Sequence, residues 1–197
     1  MNSTRALRAE MRARRRAVSE PERALMAESL ARNLGRSPRV RRARRVAGYL
    51  CNDAEMDPAP ILDLLRANGA TVLLPALHRR ALWFLPYDRD TPLVANRFGI
   101  AEPDAGGRGR CRARDLDLVL VPLVAFDCTG NRIGMGGGFY DRTFAFLRNR
   151  AYWQKPRLIG IAYEFQRLET LPSQPWDVPL HGVATEKRLC FFDGRGR

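Results

Sequence analysis

Lysine is almost missing from this basic chain. Only Lys155 and Lys187 stand among 34 basic residues, set against 21 acidic ones, and the formal net charge is +13. A phosphate backbone is neutralised by either cation, so an electrostatic nucleic-acid binder ordinarily mixes the two. An excess that is nearly all arginine reads instead as codon bias filling solvated helix faces, because net charge speaks to association and not to fold. Histidine is scarce as well, with only His78 and His181, and the four cysteines Cys51, Cys111, Cys128 and Cys190 lie 60, 17 and 62 residues apart. That spacing excludes a structural zinc site, and isolated thiols of this kind read as buried and reduced. No stretch approaches the roughly 18 apolar residues of a membrane span, and residues 1–17 lack the apolar segment of a secretory signal. Glu10, Glu20 and Glu22 argue against a transit peptide. A cytoplasmic protein without a membrane partner is expected.

What is present fits one domain, since 197 residues stand close to the usual allowance of about 150 per domain. With 45% apolar and 9% aromatic residues, the chain can bury about 70% of its unfolded surface without staples, which excludes global disorder. A helix is predicted over 4–17, with Leu7, Met11 and Val18 on one narrow stripe and arginines elsewhere. Ser19-Glu20-Pro21-Glu22 forms a capping box that opens a second helix through Leu34. Residues 46–50, a helix over 58–67 closed by Asn68-Gly69, and residues 71–75 make a β-α-β unit. Residues 82–85 form the next strand, and a polar stretch then leads to Phe98-Gly99-Ile100 and a glycine-rich loop over 105–114.

Residues 116–126 are the most apolar run. Strands buried on both faces read this way, so the run marks the centre of a parallel sheet. A glycine loop over 130–138 opens a helix over 140–148, followed by a strand over 158–163 and short strands near 183–185 and 189–192. No repeat or linker interrupts the order. The alternation predicts a single-domain α/β fold, three-layer α/β/α with a mostly parallel central sheet.

The sharpest feature is Asn131-Arg132-Ile133-Gly134-Met135-Gly136-Gly137-Gly138-Phe139-Tyr140-Asp141-Arg142, between the most buried strand and a helix. Ligands of open α/β sheets bind there, outside the carboxyl ends of the strands. Four glycines in five positions let backbone N–H groups converge on an anion, and the helix start adds partial positive charge. Neither G-x-x-x-x-G-K-[ST] nor G-x-G-x-x-G is satisfied, so the loop is neither a P-loop nor a dinucleotide fingerprint. With Arg132 to neutralise phosphate and Asp141 to hold Mg²⁺, phosphate chemistry is favoured over a turn that merely permits tight packing.

The block from Val121-Pro122-Leu123-Val124-Ala125-Phe126-Asp127 through Gly130 to Arg142 closely resembles the signature of the 5-formyltetrahydrofolate cyclo-ligase family. Leu7-Arg8, Ser19-Glu20-Pro21-Glu22-Arg23, Glu55-Met56-Asp57, Phe98-Gly99-Ile100-x-Glu102-Pro103, Leu171-Pro172-x-x-Pro175-Trp176-Asp177-Val178-Pro179-Leu180 and Thr185-Glu186-Lys187 resemble its other motifs in order. The resemblance implies ATP- and Mg²⁺-dependent conversion of 5-formyltetrahydrofolate to 5,10-methenyltetrahydrofolate with release of ADP and phosphate. The substrate's own N10 is then the nucleophile, which accounts for the lack of any Gly-x-Ser-x-Gly elbow or Cys/His pair.

Carried over residue by residue, the resemblance gives ATP to Arg5, Arg8, Arg132, Gly134, Met135, Gly136, Gly137, Gly138, Phe139 and Tyr140. It gives the folate to Glu55, Phe139 and Tyr140, and Mg²⁺ to Asp141 and Asp177. Against these roles stand ordinary ones: a turn-forming Asp177, a solvated Arg8, a helix-start charge at Glu55, and core packing for Phe139 and Tyr140. Asp127 reads as a turn former. Family members commonly carry a lysine just before the Leu-Arg pair, where this chain has Thr4 and Arg5, and the two cations differ at phosphate sites. A competing reading is a catalytically inactive relative binding nucleic acid through the arginine runs at 12–16, 39–45 and 108–114. Those runs lack interleaved aromatics for base stacking, and the glycines, Glu55 and Asp141 are all retained. A related ligase acting on another small anion is the third reading. Small-molecule substrates and a monomer are expected.

Overall fold

The computed structural model describes residues 4–104, 109–148 and 155–192. The chain begins with three helices, α1 (Thr4–Ala17), α2 (Glu20–Gly35) and the short α3 (Pro38–Arg41). At the start of α2 the Ser19 N–H and hydroxyl both donate to the Glu22 carboxylate, at 3.1 and 2.6 Å, which anchors the first turn as expected. Then follow β1 (Arg45–Ala47), α4 (Ala59–Ala67), β2 (Thr71–His78), β3 (Ala81–Pro86), β4 (Leu93–Ala95) and β5 (Ala101–Pro103). The second half contains β6 (Leu118–Pro122), β7 (Ala125–Phe126), β8 (Arg132–Ile133), α5 (Phe139–Phe144), β9 (Arg157–Ile161), β10 (Gly182–Ala184) and β11 (Leu189–Phe191).

The main sheet has the order β11-β10-β9-β6-β1-β2-β3. Its inner strands β10, β9, β6, β1 and β2 pair in parallel, and β11 and β3 close the two edges antiparallel. β6 is central, as its apolar composition predicts. Its side chains alternate between faces: Leu118 and Leu120 join Val46, Ile159 and Ile161 beneath α2 and α4, while Val119 and Val121 face Phe144, Leu147 and Leu180. Each fully buried Val, Leu or Ile contributes about 1.5–3 kcal/mol, so this two-sided strand is the energetic centre of the fold.

The apolar run over 116–126 does not form one strand. Pro122 has no N–H to continue the ladder, and the chain leaves the main sheet there to pair β7 with β8 as a separate ribbon. The buried Gln166 amide donates to the freed carbonyls of Leu123 and Val124 at 2.9 and 2.8 Å, and its carbonyl accepts the Tyr163 N–H at 2.9 Å. Asp127, buried beside it, is the turn former expected: it accepts from both Thr129 and Asn131, backbone and side chain, and from the Leu171 N–H. Burial opposes its ionisation, but these donors hold its carboxyl below the usual aspartate range.

Three expectations are corrected. The helix expected over 140–148 is α5 plus a 3-10 turn over Ala145–Leu147, because the chain must fold Phe144 and Leu147 onto the sheet. The cysteines are not buried: Cys51, Cys128 and Cys190 are exposed and Cys111 is partly so, since they occupy loops and an edge strand. The arginines of α1 are not all solvated, because Arg15 continues the Leu7–Met11 line one turn on and is 1% exposed. Part of the glycine-rich loop expected over 105–114, namely 105–108, lies outside the described residues.

Candidate active site

The glycine loop leaves β8 at Ile133 and enters α5 at Phe139. Gly136 and Gly138 carry φ of +98° and +61°, conformations that L side chains rarely adopt. The N–H groups of Met135, Gly136 and Gly137 find no acceptor among the described residues. All three residues line the cavity. α5 is only six residues long, so the attraction for an anion rests on the loop donors and neighbouring guanidiniums more than on a helix dipole. Arg8 of α1 donates Nε to the Gly134 carbonyl at 2.8 Å and lies beside Gly136. Arg142 donates Nη2 to the Gly137 carbonyl at 2.6 Å.

Arg132 sits behind the loop. Its Nη2 donates to Asp141 Oδ1 at 2.6 Å and its Nη1 to the Val178 carbonyl. Asp141 Oδ1 also accepts the Val178 N–H at 3.1 Å, and Asp177 Oδ2 accepts the Gln174 N–H at 2.8 Å. In each carboxylate the second oxygen has no partner among the described residues, so both aspartates keep a hard donor on the cavity wall. No group of three metal-ligating side chains occurs among the described residues. The donor set fits Mg²⁺, which binds through one or two carboxylates plus phosphate and water.

The opposite wall is built by the loop after β1. Asp53 and Ala54 both adopt left-handed backbone, φ +50° and +54°. Such strain persists only when surroundings enforce it. Here Arg12, Arg15 and Arg16, one face of α1, converge on the Asp53 carboxylate, with Arg12 Nε at 2.5 Å and Arg15 Nη2 at 3.2 Å. Burial works against the Asp53 charge, but Arg12 and Arg16 hold its carboxyl below the usual range. Glu55, two residues on, lines the cavity. Burial pushes its carboxyl up to about 7, against the pull of Arg15 and the Asn52 backbone, with Asp53 adding to the rise.

Aromatic rings close the space between the walls. Tyr140 stacks on Phe144, and burial and the nearby Glu55 push its phenol well up. Phe139 meets Phe98 edge-on at 6.0 Å. Phe98 belongs to the β4–β5 ribbon, which is tied to β2 by Glu102 accepting the Leu77 N–H at 3.0 Å.

Arg8, Glu55, Arg132, Gly134, Met135, Gly136, Gly137, Gly138, Phe139, Tyr140, Asp141 and Asp177 all line one cavity of about 1120 Å³. Its volume exceeds the roughly 300–1,000 Å³ that usually serves one small ligand. Arg5 is exposed on α1 and does not line it, whereas Thr4 does. Residues 1–186 match the family described as the 5-formyltetrahydrofolate cyclo-ligase family. The chain belongs to the 5-formyltetrahydrofolate cyclo-ligase family.

Its relatives agree over nearly the whole length. It is 40% identical over 184 residues to the 5-formyltetrahydrofolate cyclo-ligase of Escherichia coli K12, covering 91% of this chain and 98% of that one. It is 40% identical over 146 residues to the enzyme of that name from Haemophilus influenzae, covering 73% and 76%. The NMR structure of Aquifex aeolicus 5,10-methenyltetrahydrofolate synthetase superposes with a TM-score of 0.80 at 32% identity, covering 98% and 95%. This chain is an enzyme of the cyclo-ligase family. Among the described residues no helix is long and apolar enough to cross a membrane.

Two residues of this cyclo-ligase site escape the sequence reading. Arg142 closes the motif, and its place one turn into α5 is the signal that it turns back on the glycines. Arg15 hides among exposed arginines, and its only signal is the four-residue spacing from Met11.

Proposed function

We propose that this cyclo-ligase converts 5-formyltetrahydrofolate to 5,10-methenyltetrahydrofolate with ATP and Mg²⁺, releasing ADP and phosphate. The observation that carries the reading is a single cavity joining two unlike walls: unused loop N–H groups beside two aspartates, and an aromatic pocket ending in Glu55. The formyl oxygen attacks the γ-phosphorus, forming an O–P bond as the bond to ADP breaks. N10 then attacks the activated carbon and loses its proton, and phosphate leaves with the former formyl oxygen. No enzyme residue needs to become covalently attached.

Phosphoryl transfer asks a protein chiefly for positioning and charge stabilisation. The loop from Gly134 to Gly138 cradles the phosphates, with Arg8 against it and Arg132 orienting Asp141. Asp141 and Asp177 hold Mg²⁺, which when bound neutralises phosphate charge. Glu55 accepts the ring and amino N–H groups of the pterin, and Phe139 and Tyr140 offer aromatic surface to the folate. The test is growth of the methenyl chromophore in the near-ultraviolet when purified protein meets 5-formyltetrahydrofolate, and it should require both ATP and Mg²⁺. No rise overturns the reading. Asp141→Asn should cost about 100-fold in kcat, near 2.7 kcal/mol, and full retained rate would overturn the metal assignment.

A further inference from the structure

Among the described residues Arg15 is the largest fully buried side chain, 1% exposed, and its Nε and Nη1 have no hydrogen-bond partner there. An arginine in that state costs stability unless its charge is used. Anchoring Asp53 does not account for it, because the more exposed Arg12 and Arg16 already hold that carboxylate at shorter distances. What Arg15 alone reaches is Glu55. Among the described residues it is the only guanidinium within ion-pair range of that carboxylate, Nη1 to Oε1 being 3.7 Å.

The distance matters. At 3.7 Å the positive charge is felt, but no hydrogen bond is made, so Arg15 itself occupies none of the Glu55 lone pairs. We propose that Arg15 is a positioning residue: fixed through Nη2 by Asp53, its buried guanidinium is the counter-charge that keeps Glu55 an acceptor for the ring N–H groups of 5-formyltetrahydrofolate. The inference rests on the function proposed above. Of the other groups facing Glu55, only the neutral Asn52 backbone pulls the same way as Arg15, and the rest work the opposite way or not at all. Asp53 repels its charge, and Tyr49 and Tyr140, with phenols pushed up by burial and by Glu55 itself, stay neutral. Cys51 donates its thiol to the Glu55 carbonyl and leaves the carboxylate alone.

The experiment is calorimetric binding of 5-formyltetrahydrofolate without ATP, between about pH 5.5 and 9, to wild type, Arg15→Met, Arg15→Lys and Glu55→Gln. Wild-type affinity should rise with pH, and Arg15→Met should bind about fivefold more weakly near pH 7 and recover near pH 9, because a one-unit rise from about 7 takes the ionised share of the carboxyl from about a half to about a tenth. Arg15→Lys should restore part of the loss, Glu55→Gln should show no pH dependence, and ATP affinity should hold throughout. Loss in Arg15→Met that is equal at every pH, or that extends to ATP, would mean a merely structural arginine and overturn the proposal. So would flat wild-type binding across the range, which needs no variant to fold. Absence of cyclisation by wild type would overturn the functional reading itself, whereas cyclisation with flat binding would overturn the role of Arg15 alone.

Discussion

Replacing Gly134 by alanine separates what the glycine loop does for the fold from what it does for a ligand. A Cβ built at Gly134 meets no atom within 4 Å, and its φ lies outside the left-handed region. Nothing in the folded chain therefore requires glycine there. Alanine also restricts the unfolded chain, so stability should hold or rise by about 0.4–1 kcal/mol. Gly136 is the contrast: with φ +98° and the Arg8 guanidinium 3.6 Å from a built Cβ, alanine there should cost about 1–2 kcal/mol. If phosphate lies against the loop, the new methyl at Gly134 displaces it, and a misplacement of about 1 Å can cost up to ~100-fold in rate. The expected result for Gly134→Ala is a KM for ATP raised about tenfold or more, equivalent to ~1.4 kcal/mol, with the KM for 5-formyltetrahydrofolate held. Methenyl formation at varied ATP reads the first quantity and thermal denaturation the second. An unchanged ATP KM would refute the close approach of phosphate to this backbone. A melting temperature lowered by more than about 4 °C, roughly 1 kcal/mol or more for a chain of this size, would refute the open space.

Asp53→Asn keeps a side chain that tolerates left-handed backbone but strips Arg15 of its nearest counter-charge, which should cost about 3 kcal/mol in chemical denaturation at neutral pH. Because the Asp53 carboxyl is held below its ordinary value, its contribution is present above that value and lost as pH falls through the folded one, so the gap to wild type should close in acid. A gap that persists unchanged there would contradict the ion-pair account. Gln166→Leu leaves the carbonyls of Leu123 and Val124 and the N–H of Tyr163 unpaired in the core, an expected loss of about 3 kcal/mol or more. A loss under about 1 kcal/mol would show that water or a shift of the chain satisfies them.

Local signals carried much of this fold. The capping box at Ser19, the two-sided run in β6 and the glycine loop were legible because each depends on neighbours in sequence. The β4–β5 ribbon was not: Leu93, Val94 and Ala95 are all exposed, so no alternation marks them as a strand, and the ribbon exists because Asn96 and Glu102 organise its turn and its attachment. Pro122 was visible, but its consequence depended on the distant Gln166 being there to receive the freed carbonyls. The site residues quoted from the motifs mostly meet in one cavity, yet Arg15 was hidden, because an arginine is assigned to water by every periodicity rule. Only the converging Asp53 and Glu55, some forty residues downstream, make its burial possible.

α1 belongs to neither face of the main sheet. Met11 packs with Val124, Ala125, Ile133 and Leu171, and no residue of α1 joins the two large core clusters. The same helix nonetheless supplies Arg8 to the glycine loop and three arginines to the Asp53–Glu55 loop. The helix that reaches both walls of the cavity is thus packed apart from the two large cores. A local opening of α1 would withdraw Arg8 from the glycine loop and the three arginines from the Asp53–Glu55 loop while leaving the contacts within the sheet in place, so activity should fall on warming ahead of global unfolding.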